Sequence, residues 1–120
     1  MKISETMVFV SDMDAAEAFY RSLGLEVLER QSWGWMVCRD PQSGQKVGAL
    51  LRSSWHEQGA DWPVPRVAFE SIDLEGDLAR MEALGYAVGA IKGGTDTTRC
   101  SHFMDRDRNV YFIWQSPAAR

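Results

Sequence analysis

Apolar and polar positions along this chain follow two periods, and the succession of periods occurs twice. Thr6-Met7-Val8-Phe9-Val10 and Arg66-Val67-Ala68-Phe69-Glu70 are short alternating or apolar runs that read as strands. Each leads into a helical pattern. Ala15, Ala16, Phe19, Tyr20 and Leu23 form one apolar stripe, and Leu74, Leu78, Met81 and Leu84 form the other. Asp12 and Asp73 suit the N-cap positions, where a short carboxylate accepts the unpaired amide hydrogens of the first turn. Asp14 and Glu17, then Glu75 and Asp77, place negative charge near the positive end of each helix dipole. Gly24 and Gly85 stop the helices, because glycine adopts the left-handed conformation that follows a C-cap.

A further strand follows each helix, at Leu25 to Arg30 and at Tyr86 to Ile91, and then a hairpin. The first hairpin runs Trp35-Met36-Val37-Cys38, a turn over Asp40 to Gly44, and Val47 to Leu51. The second runs His102-Phe103-Met104, a turn over Asp105 to Asn109, and Val110 to Trp114. Setting Asp12 against Asp73, 61 residues later, also aligns Ala18 with Ala79, Leu23 with Leu84, Gly24 with Gly85 and Val27 with Val88, without a gap. These are the capping and packing positions, so the chain reads as an internal duplication. The fold class is α+β: two tandem βαβββ modules, about residues 1–53 and 65–116, joined by a linker over 54–64. They share a curved mixed sheet with both helices on its outer face. The linker, with Gly59, Pro63 and Pro65, is the least regular stretch.

Composition narrows the partners. The chain has 120 residues, 45% of them hydrophobic and 25% charged, which suits one globular domain. A net charge of −4 offers no basic stripe for phosphate backbones, which argues against nucleic acid. No run approaches the roughly 20 apolar residues of a membrane span, and no signal peptide is evident, so a cytoplasmic location is expected. Cys38 and Cys100 stand singly in apolar surroundings and read as reduced, half-buried thiols. Lys92-Gly93-Gly94-Thr95-Asp96 lacks the spacing of a phosphate-binding loop and reads as a connection between strands.

The order of these motifs resembles the vicinal oxygen chelate superfamily, the glyoxalase, bleomycin-resistance and extradiol dioxygenase group. Val8 to Asp12, Ala18-Phe19-Tyr20 and Leu23-Gly24-Leu25 are similar to its first-module signature. Val67-Ala68-Phe69, Asp73-Leu74 and Leu84-Gly85 are similar to its second. Asp105-Arg106-Asp107-Arg108-Asn109 looks like the terminal turn of that family, departing at Arg106 and Arg108, where proline and glycine are usual. The resemblance implies a cupped sheet around a ligand cavity, usually completed in a homodimer, with a divalent metal held from four strand positions in the enzymes. Those positions fall on Glu5, Arg66, Phe112 and the stretch Gly48-Ala49-Leu50. A guanidinium stays protonated and phenylalanine has no lone pair, so at most Glu5 remains as a ligand, and no metal or other cofactor is expected. His56 and His102 lie in different segments without ligand spacing.

What remains resembles the metal-free, bleomycin-resistance-like branch, which sequesters aromatic compounds and is associated with antibiotic resistance. The candidate ligand-binding residues are Glu5, Trp33, Trp35, Arg66, His102, Phe112 and Trp114. Glu5 and Arg66 are expected either to pair where a metal would sit or to stand as solvated residues near strand starts. Trp35 and Phe112 are expected to line a pocket on which planar compounds stack. Trp33 and Trp114 suit core or interface, and Trp55 and Trp62 a lid or dimer contact. The alternative is a lyase or isomerase of the same superfamily with a displaced metal site or Glu5/His102 acid–base chemistry, Cys100 being a candidate nucleophile.

Overall fold

The computed structural model describes residues 1–59, 61–94 and 96–117; Thr95, in the glycine-rich connection, lies outside them. The chain order is β1 (Lys2–Val10), α1 (Met13–Ser22), β2 (Glu26–Gln31), β3 (Trp35–Arg39), β4 (Lys46–Leu51), α2 (Arg52–Gly59), β5 (Val67–Glu70), α3 (Leu74–Ala83), β6 (Ala87–Val88), β7 (Arg99–Met104) and β8 (Val110–Gln115). All the strands form one eight-stranded mixed sheet in the order β2-β3-β4-β1-β5-β8-β7-β6. Each half repeats the same arrangement, and β1 pairs antiparallel with β5 at the centre. The two halves therefore join within one chain.

The duplicated helices start as the sequence predicts. The Asp12 carboxylate accepts from the Ala15 amide at 3.0 Å, and Asp73 accepts from the Gly76 amide at 3.1 Å. Gly24 and Gly85 follow with positive φ angles of 86° and 91°. Both helices pack on the outer face of the sheet. Leu74 and Leu78 of α3 bury against Phe103 and Ile113, while Met13, Ala16 and Tyr20 of α1 cover Met36, Cys38 and Ala49. The first stripe is less buried than its pattern suggests, with Phe19 and Leu23 exposed.

Three expectations change. The linker is not irregular throughout: residues 52–59 form α2, whose Trp55 is 2% exposed and packs against the inner face of the sheet. The strand expected over residues 86–91 shrinks to Ala87–Val88, supplemented by a bridge between Lys92 and Cys100. Neither Cys38 nor Cys100 forms a disulfide, and both are fully buried, not half-buried. Among the described residues no helix is long and apolar enough to cross a membrane.

The inner face carries its own core, built on Met7, Trp35, Val37, Leu50, Trp55, Ala68, Cys100, Val110, Phe112 and Trp114. Alternation along each strand makes the sheet apolar on both faces, as a sheet covered on both sides requires. The sheet also curls until its ends meet. Thr98, beside β7, donates a hydrogen bond to Glu29 on the opposite edge strand β2, across 69 residues of sequence.

Gly48 sits under the Trp35 indole, and a Cβ there would overlap the ring. Gly48→Ala should therefore lower stability by about 1–3 kcal/mol through overpacking. Urea unfolding would measure it, and the loss should shrink in a Trp35→Leu background because the two sites are coupled.

Candidate functional site

The centre of the inner face is occupied by side chains of the protein itself. Trp35 and Phe112 are both fully buried, with ring centroids 4.8 Å apart, and Trp114 stands 5.9 Å from Trp35. Sequence reasoning assigned Trp35 and Phe112 to the lining of an open pocket. The structure instead makes them the filling of that space, because the absence of a side chain at Gly48 lets the Trp35 ring lie down across β4.

Open space lies at the ends of the sheet. At one end a cleft of about 280 Å³ is lined by Leu28, Glu29, Val37, Lys46, Glu70, Trp114 and Ser116. Beside it, Glu5 is 2% exposed, and neither of its carboxylate oxygens has a hydrogen-bond partner. The groups that act on Glu5 belong to this cleft. Burial pushes its pKa from 4.5 up to about 8; Lys46 opposes the rise, Glu70 adds to it, the Trp114 indole N–H opposes it without completing a hydrogen bond, and Glu29 adds to it. Glu5 also borders a shallower groove of about 350 Å³ with Ile3, Ser4, Thr6, Gly44 and Gln45, and Lys46 is common to both. A buried carboxyl without a partner is held neutral at physiological pH, and in that form donates one hydrogen bond.

His102 faces inward and is 3% exposed. Trp55 and Trp62 meet its ring edge-on at 5.2 and 4.7 Å, and its other side lies against Gly89, where a Cβ would overlap the imidazole. Burial pushes its pKa down from 6.5 to about 4, so the ring is neutral, and Nδ1 has no partner. Trp55 and Trp62 thus enclose a histidine within the chain, an arrangement that the irregular reading of the linker hid.

Several expected groupings do not form. Glu5 and His102 share one register row, Glu5 opposite Ala68, Ala68 beside Phe112 and Phe112 opposite His102. Three strand spacings separate them, about 14 Å along the sheet, so they cannot exchange a proton directly. Glu5 and Arg66 form no ion pair: Glu5 is buried without a partner, whereas Arg66, whose carbonyl accepts from the Met7 amide two residues along β1 from Glu5, is exposed beside Pro63, Val64 and Arg108. Cys100 is fully buried and out of reach as a nucleophile. Trp33 is half-buried and lines a separate cleft with Ser54, Glu57 and Lys92, and its carbonyl accepts a hydrogen bond from Ser54. Trp114 serves both purposes, packed in the core and bordering the Glu5 cleft.

The residues present do not fit a divalent metal at the four strand positions. Trp35 covers Gly48, Phe112 is packed against Trp35, and Arg66 is an exposed cation. Among the described residues no group of three or more His, Cys, Asp or Glu side chains could hold a metal ion.

The duplicated half-sheets, central β1–β5 pairing and inner face define a glyoxalase-type fold, and residues 2–111 match the model of the Glyoxalase/Bleomycin resistance protein/Dioxygenase superfamily. The chain belongs to that superfamily. No curated protein matches the sequence. A Streptomyces coelicolor methylmalonyl-CoA epimerase in complex with 2-nitronate-propionyl-CoA is 21% identical with a TM-score of 0.61, over 98% of this chain and 96% of that one. Another methylmalonyl-CoA epimerase structure is 15% identical with a TM-score of 0.64, over 98% and 96%. A superfamily member from Vibrio splendidus is 15% identical with a TM-score of 0.52, over 96% and 100%. At these identities the likeness is one of fold.

The two shifted groups predict opposite pH dependences. Glu5, raised from 4.5 to about 8, keeps a proton in the folded chain that the unfolded chain releases. Its contribution is full below pH 4.5 and is lost as pH rises through 8, at up to about 1.4 kcal/mol per pH unit. His102, lowered from 6.5 to about 4, contributes stability that is full above pH 6.5 and is lost as pH falls through 4. Urea unfolding between pH 4 and 9 should show stability falling from pH 6.5 to 8. Glu5→Gln should abolish that fall, and His102→Gln should extend it down towards pH 4.5.

Proposed function

We propose that this protein binds a small, planar, oxygen-bearing compound in the cleft at the Glu5 end of the sheet, and does so without a metal. The observation that carries the reading is Glu5 itself, buried to 2% exposure with both oxygens unpartnered. Burying a carboxyl in this way costs free energy unless something completes its hydrogen bonding. A ligand carbonyl or hydroxyl oxygen accepting from the neutral acid does so. Leu28, Val37 and the edge of Trp114 supply apolar surface for the body of such a compound. Holding rather than converting the ligand agrees with the sequestering branch that the sequence resembles. The expected homodimer remains part of this proposal and is read by sedimentation.

Tryptophan-fluorescence titration with a panel of aromatic ketones, phenols and quinone antibiotics tests it. At least one should give a saturable response that Glu5→Leu weakens tenfold or more and Glu5→Gln largely preserves, since an amide still donates. Affinity should be flat below pH 7 and fall about tenfold per pH unit above 8, as the neutral acid is lost. An affinity that rises with pH would instead mark a cationic ligand and overturn the choice of compound.

A second reading, proton transfer by Glu5 alone, is favoured by its pKa of about 8, which suits a group that must give and take a proton near neutral pH. It is distinguished by solvent deuterium entering the bound compound. The wild type would then exchange and Glu5→Gln would not, although both bind.

A further inference from the structure

At the end of the sheet away from the Glu5 cleft, a second cleft of about 300 Å³ is lined by Pro63, Val64, Arg66, Val67, Arg108, Asn109, Val110 and Tyr111. We infer that this cleft is a separate site for a small molecule carrying a phosphate or carboxylate beside an apolar portion. Arg66 precedes β5 and Arg108 precedes β8, and these parallel neighbours bring the two guanidiniums to one opening.

Arg21, Arg30, Arg39, Arg80 and Arg99 each pair with a carboxylate; Arg106 lies over Tyr86 instead, and Arg52, on α2, has no carboxylate partner among the described residues but does not line this cleft. Arg66 and Arg108 are exposed and, among the described residues, pair with none. Of the turn carboxylates, Asp107 is exposed and forms no ion pair with either arginine, and Asp105 is already engaged. It accepts from the amides of Asp107 and Asn109 at 2.9 Å each, from the Asn109 side-chain amide at 2.9 Å and from the Tyr111 hydroxyl at 3.2 Å. Two unpaired guanidiniums provide forked N–H donors suited to a tetrahedral or planar oxyanion.

The backbone supplies an independent observation. Arg108 has a φ of 64°, the one positive value at a non-glycine residue among the described residues. An L-residue with a long side chain is disfavoured in that conformation, which glycine adopts freely. The turn thus keeps an arginine at a backbone cost, and its side chain borders the cleft. Conformational strain of this kind concentrates at functional positions. Pro63, Val64 and Val67 form the apolar part of the lining, which accommodates the rest of the ligand.

Phenyl phosphate is the probe, followed by amide chemical shifts in two-dimensional NMR, with phenol as the neutral control and benzoate to compare carboxylate with phosphate. Saturable shifts at Arg66, Arg108 and Asn109 with phenyl phosphate or benzoate, and none with phenol, are expected. Arg66→Ala and Arg108→Gly should each weaken binding at least tenfold. Arg108→Gly should at the same time raise the thermal midpoint by about 4 °C, because the left-handed strain is relieved. Arg106→Ala, whose guanidinium lies over Tyr86 instead, should change affinity by less than about twofold. Unsaturable shifts, binding that survives both substitutions, or an equal loss in Arg106→Ala would overturn the assignment.

Discussion

The packing of Trp35 across Gly48 and against Phe112 sets the character of this protein. A curved sheet that encloses space must fill it with side chains, water or a ligand, and interiors are close-packed. Here one indole and one phenyl ring take the centre, at two of the strand positions where metal-binding relatives are expected to place their donors. The inner face consequently becomes a core, and its usable space moves to the ends. Glu5 stays next to that core, and the burial the rings impose keeps its carboxyl protonated near neutral pH.

Closure reinforces this. The Thr98–Glu29 hydrogen bond joins the two ends of the sheet, and α2 lays Trp55 over the inner face, where it meets His102. Both contacts are long-range, so they help only once the two halves have docked. Polar groups within this enclosure remain unpaired, among them the indole N–H groups of Trp35 and Trp114, Nδ1 of His102 and both Glu5 oxygens. Buried groups of this kind lower stability unless a partner completes them. Glu5, the ionisable member of this group that borders an open groove, is therefore the focus of the proposed activity.

Much of the fold is legible in the chain because its signals are local. N-cap carboxylates, C-terminal glycines and turn residues act within a few positions, and their recurrence 61 residues apart exposes the duplication. The site is less legible. Strand position singles out Glu5 and Phe112, but facing direction and depth are collective properties. Arg66 and Glu5 are related by the repeat and lie on adjacent strands, yet Glu5 is buried while Arg66 is exposed, and no ion pair forms. The linker helix carries weak helical amphipathicity, since its buried face is Trp55 beside the polar Ser54, and short segments of that kind take their structure from tertiary contacts.

By itself the sequence determined the two-module α+β architecture, the boundaries of the two duplicated helices and the lack of donor atoms at three of four ligand positions. Each follows from residue chemistry or from interactions spanning a single turn. Only the tertiary structure decided that Trp35 and Phe112 fill the cavity instead of lining it, that Glu5 is buried and neutral, and that Glu5 and His102 are too far apart to work together. Those outcomes depend on which side chain wins a shared volume and on how many strands lie between two residues, and neither is written in the local pattern of the chain.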